Sequence, residues 1–115
     1  MESVVDKINQ FRKANGVDPV YCWNPVENDN CESHAFQMAR CGELYHAPDY
    51  LRPGKAEAVG KCSFMNTEVD TVGHIVFEQF GKSSEGHREI LLMPNLAYGL
   101  YTSNWQVYLV VRGWI

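Results

Sequence analysis

Two apolar-rich segments near the C-terminal end, 96–102 and 105–114, flank the turn-forming pair Ser103-Asn104 and limit the fold more than any other part of the chain. In the second segment Tyr108, Val110 and Arg112 alternate with Val107, Leu109 and Val111. A repeat of two places these sets on opposite faces of a strand, so the pair reads as a β-hairpin. The sequence before it has helical periodicity, apart from one short strand-like run at 56–62. Helices interleaved with a few antiparallel strands imply an α+β or three-layer α/β/α domain.

The helices follow from apolar spacing and from their stop signals. Over 2–14, Val4, Ile8 and Phe11 form one stripe with Val5 and Arg12 at its flanks, and Asn15-Gly16 ends the helix. After the loop containing Asp18-Pro19 and Trp23-Asn24-Pro25, a second helix over 26–41 aligns Cys31, Ala35, Met38 and Gly42. His34 falls one position off that stripe and reads as structural or exposed. Turn chemistry fills 43–56, with Ala47-Pro48-Asp49 and Arg52-Pro53-Gly54. Thr67 followed by Asp70 marks a helix start, and Val69, Val72, Val76 and Phe80 carry a third helix over 67–80. Ser83-Ser84 read as the N-cap of a fourth helix that Pro94 must end, which puts His87 in its first turn. An imidazole there can coordinate a metal or accept a proton, and Gly86 leaves approach to the ring open.

At 115 residues the chain reads as one domain, 1–115, and 45% hydrophobic with 21% charged residues excludes disorder. A net charge of -4 and a pI near 5.5 argue against nucleic acid and anionic membranes, because no Lys/Arg cluster is present to neutralise phosphates. No apolar run approaches the roughly 20 residues of a membrane span. The four cysteines, Cys22, Cys31, Cys41 and Cys62, form no CxxC pair, so two disulfides in an oxidising compartment are expected rather than a zinc knuckle. No signal peptide stands at the start, and the cysteines imply a leader already trimmed.

Several segments together resemble one family. Ile8-Asn9-Gln10-Phe11-Arg12 with Asn15-Gly16, then Trp23-Asn24-Pro25, resembles the opening of the CAP domain (cysteine-rich secretory proteins, antigen-five and pathogenesis-related proteins, also called SCP-like). Glu32-Ser33-His34-Ala35-Phe36-Gln37-Met38-Ala39 is similar to its second helix, and Gly42 to His46 to its G-x-L-x-H turn. Ala56-Glu57-Ala58-Val59-Gly60 matches the G/A-E-N-I/V-G/A motif, with Ala58 in place of the common Asn. Gly86-His87-Arg88 with Leu91, Leu92 and Pro94 is similar to the bacterial version of the histidine motif.

The resemblance implies an α+β fold built as a three-layer α-β-α sandwich with a small antiparallel sheet, and a central cleft with two histidines and two acids. These transfer to His46, Glu57 and His87, with Glu78 as the fourth member and Glu68 and Glu85 as weaker choices. For Glu78 an exposed i, i+4 pair with His74 is the competing reading. The histidines His46 and His87 are the expected ligands of Zn2+ or another divalent cation, with the carboxylates orienting them or holding water. If His46 and Glu57 converge from antiparallel segments, Cys41 approaches Cys62, which leaves Cys22 with Cys31. The function so implied is that of a secreted, non-enzymatic binding module for an extracellular lipid, sterol, peptide or protein. The alternatives are a metal-dependent hydrolase at the same cleft and an interaction domain with a vestigial cleft. No serine or cysteine is placed as a nucleophile, so the hydrolase would need a metal-activated water.

Overall fold

The computed structural model describes residues 2–21, 23–50, 54–84 and 86–115. Cys22, Arg52-Pro53 and Glu85 therefore lie outside the described residues. Helix α1 (Glu2–Ala14) and α2 (Pro25–Cys41) are followed by a short 3-10 turn (Pro48–Tyr50) and strand β1 (Lys55–Ser63). Helix α3 (Glu68–His74) runs into a π-helical turn (Ile75–Phe80), and α4 (His87–Leu91), β2 (Asn95–Ser103) and β3 (Gln106–Trp114) complete the chain. The sheet is antiparallel with order β1-β3-β2, so β3 is central and both other strands are edges.

The pleat decides which side chains meet which layer. On one face Ala58, Val107, Leu109 and Val111 join Val4, Ile8 and Phe11 of α1, Val72 of α3, and Leu91 of α4 in the main core. On the other, Ala97, Tyr108 and Val110 pack against Cys31, Ala35 and Met38 of α2. Helices on both faces give the α-β-α sandwich expected from the sequence, and the α1 and α2 stripes bury the residues that periodicity selected. Arg12, at the flank of the α1 stripe, is also buried; its guanidinium donates to the carbonyls of Asp18 (2.7 Å), Leu91 and Met93 (both 2.8 Å) and ties α1 to the end of α4.

Four local features differ from the sequence reading. The hairpin turn is Asn104-Trp105, both left-handed (φ 50° and 62°) and closed by Ser103 opposite Gln106, the geometry a two-residue hairpin needs to match strand twist. Thr67 caps α3 through Asp70 N–H as expected, but the helix widens after His74, with Gly81 N–H reaching Val76 O at 2.8 Å. Such a turn rotates the following side chains away from a 3.6-residue period. Gly86, at φ 93°, holds the N-cap position of α4 in place of a serine, since its left-handed geometry redirects the chain after Ser83-Ser84. Finally, Cys31, Cys41 and Cys62 are free thiols. Cys62 shares its face of β1 with Ala58 in the main core, whereas Cys41 ends α2 beyond the opposite face, where Lys61 Nζ reaches Gly42 O at 3.0 Å. The alternation of the strand thus separates the pair that converging segments would have joined. Cys31 is fully buried and its thiol is pushed up to about 12 by burial.

Candidate functional site

Gly42, left-handed at φ 72°, ends α2 and turns the chain back along the edge of β1. The returning segment carries His46 past Glu57, while α4 approaches from the other side of the strand. Between them lies a cavity of about 560 Å³ whose polar lining is His46, Tyr50, Lys55, Glu57, His87 and Glu89, with Ala56, Ile90 and Met93 as its apolar wall. A larger groove of about 610 Å³ lies between α1 and residues 16–21, but among the described residues no histidine, cysteine or glutamate lines it. The candidate site is therefore the smaller one.

Glu57 is the hub. Its carboxylate has no solvent exposure, and each oxygen is held by a donor. Oε1 accepts from His46 Nδ1 and from the Ala47 N–H, both at 2.9 Å, and Oε2 accepts from Arg112 Nε at 2.9 Å. Burial of a carboxylate is tolerable only with such pairing. Because a carboxylate can only accept, Nδ1 of His46 carries the proton and Nε2 is left as the ring's free atom; the imidazole side chain is 39% exposed. Arg112 stacks 4.3 Å from the centre of the Tyr50 ring, and the Tyr50 hydroxyl donates to Glu27. That bond, the largest influence on Glu27, holds its carboxyl below the usual range, while burial and then the same bond push the Tyr50 hydroxyl up. His34 is buried beside this group, Nε2 bonded to Tyr45 O at 2.7 Å and 4.0 Å from Glu57 Oε1. His87 opens α4 with its ring 5.7 Å from that of Phe80.

The profile of the cysteine-rich secretory protein family, CAP, matches residues 5–111. The chain belongs to the CAP family. A search of curated proteins gave no match. Among solved structures, the crystal structure of NaASP2 with Zn2+ is similar at a TM-score of 0.63 and 12% identity, over 96% of this chain and 76% of that one. Na-ASP-1 is similar at 0.59 and 11%, over 96% of this chain and 37% of that one. At these identities the likeness is one of fold.

In this CAP chain His46, Glu57 and His87 come together at one cavity. Glu78 does not join them. It projects from the π-helical turn into solvent and pairs with Lys82 at 2.8 Å, an exposed i, i+4 pair made with a different partner from His74. Glu68 lies at the start of α3, in another groove. Among the described residues the second acid lining the His46/His87 cavity is Glu89. Sequence reasoning missed it, because residues two apart on a helix do not share a face and the spacing gives no signal. Arg112 and His34 were also missed as parts of the site. Ala58, at the position of the family's common Asn, is fully buried among apolar side chains. Among the described residues no three His, Cys, Asp or Glu side chains gather closely enough to hold a metal by themselves. Two imidazoles, His46 and His87, line the cavity, and a metal held by that pair would keep its other positions for water or ligand. No helix among the described residues is long and apolar enough to cross a membrane.

Proposed function

We propose that this CAP protein is a secreted, bacterial-type binding module that takes a divalent cation, Zn2+ foremost, through His46 and His87. One observation carries the reading. Two imidazoles from distant segments line the same cavity, and the inner nitrogen of His46 is engaged by the buried Glu57 carboxylate. A carboxylate on the far nitrogen fixes tautomer and ring orientation and makes the other nitrogen a better ligand. His46 Nε2 and a ring nitrogen of His87 would be the protein's donors, and Glu89, which lines the same cavity, would be the acid available to a bound water. The similar NaASP2 structure is one with Zn2+, which supports carrying that ion to this chain. Bound there, the metal supplies a Lewis-acidic anchor for an oxygen of an extracellular lipid, sterol, peptide or protein. Arg112 holds the Glu57 carboxylate in position, and Tyr50 stacks on Arg112 while also lining the cavity.

Calorimetric titration of Zn2+ into the wild-type protein and into His46→Ala/His87→Ala tests this. One-site binding in the wild type that disappears in the double variant is the expected result. Equal binding by both proteins, or none by the wild type, would remove the metal from the proposal.

A further inference from the structure

The edge of β2 is distant in the sheet from the β1 cavity and carries a second kind of site. The closing pair Ser103–Gln106 fixes the hydrogen-bonding pattern of the hairpin. Alternate residues back along β2 direct their N–H and C=O groups toward β3, and those between them, Tyr98, Leu100 and Thr102, direct theirs outward. The outward Tyr98 N–H is taken by Asn28 Oδ1 of α2 at 2.9 Å. Leu100 and Thr102 have no such partner for their outward backbone groups among the described residues. These groups border a groove of about 470 Å³, lined by Asp29 and Glu32 of α2, Glu68 of α3, and the strand itself with Tyr101, which is 37% exposed.

An open edge of this kind is a template for another strand, and proteins usually blunt it with lysine or proline. Among the described residues no lysine, arginine or proline lines this groove, and three carboxylates do. A second copy of β2 would bring the same three acids against them, in a chain already at a net charge of -4, so self-pairing is opposed by like charge. A segment bearing lysine or arginine meets the opposite situation. We propose that the β2 edge binds an extended, basic peptide segment of another protein as a fourth strand. The N–H and C=O groups of Leu100 and Thr102 supply its main-chain bonds, and Asp29, Glu32 and Glu68 select its cationic side chains. The span from Leu100 to Thr102 suits a segment of about four or five residues at ~3.3 Å per residue.

The test uses a blocked heptapeptide of alternating lysine and valine, titrated into the whole chain with detection by backbone amide NMR. Binding at low salt, with shifts centred on 99–103, is expected. Thr102→Pro removes an outward donor from an exposed edge position without taking a bond from the β2–β3 ladder. It should weaken binding about tenfold or more, as should N-methylation of the peptide's backbone when tested on unaltered protein. Asp29→Asn/Glu32→Gln/Glu68→Gln should abolish the salt dependence. Absence of binding by the wild type, shifts at His46 and His87 in place of β2, or undiminished binding in either the Thr102→Pro or the N-methylated experiment would each overturn the proposal. The last of these would reduce the interaction to charge attraction alone.

Discussion

Glu57 combines the two features that make a residue both costly and specific: complete burial and full hydrogen bonding. Its partner Arg112 is almost as buried, so deleting the carboxylate strands a guanidinium inside the protein. Glu57→Ala should cost about 3–5 kcal/mol in urea unfolding, whereas Glu57→Leu/Arg112→Met should cost clearly less than the sum of its single changes. A neighbouring carboxyl sets a pH dependence. The Tyr50 hydroxyl bond lowers Glu27 in the folded protein, so its stabilisation is full above the unfolded value of about 4.3 and is lost as pH falls through the lower folded value. Urea midpoints measured across the acid range should therefore decline more steeply for wild type than for Glu27→Gln. Equal slopes would mean that the bond is not maintained in solution.

At the scale of elements, the join between α2 and the sheet is set by Gly99. A Cβ there would lie 2.1 Å from the Glu32 backbone nitrogen, so Gly99→Ala must push the helix away. A loss of about 1–3 kcal/mol or more is expected, read from thermal or urea unfolding. Elements of this kind were legible where one physical signal dominates. The α1 stripe reports burial directly, the alternation in β3 reports which of two covered faces each side chain joins, and Thr67 with Asp70 reports a cap, so all three appear where the sequence put them. The features that escaped depend on partners far away in the chain. Glu57 and Arg112 sit directly opposite across β1 and β3, a pairing that exists only once the register is known. His34 is buried because the Tyr45 carbonyl satisfies it, and no local pattern announces that bond. Glu78 was carried over from the resemblance as the acid preceding the histidine motif at the end of the third helix, where it pairs with Lys82 instead, and the Cys41–Cys62 pairing assumed convergence in sequence while ignoring the two faces of the strand.

The whole molecule places its chemistry at the margins of a three-stranded sheet sandwiched between helices. The β1 edge holds the His46/His87 cavity, with Glu57 and Arg112 forming its buried support, and the β2 edge faces an acidic groove. Of the motifs that resembled the CAP family, those of α1 and α2 belong to the two helical layers, and those at 42–46, 56–60 and 86–88 meet at β1, which explains why a collinear set of short matches was informative about both fold and site. Family membership does not by itself make those two imidazoles one metal site. Heteronuclear NMR of the imidazole ring nitrogens during Zn2+ titration decides whether they are. His46 should be the Nδ1–H tautomer before metal is added, with its Nε2 and one nitrogen of His87 shifting together and saturating at the same equivalence. A shift confined to one ring, or two rings that respond at different zinc levels, would contradict a single site.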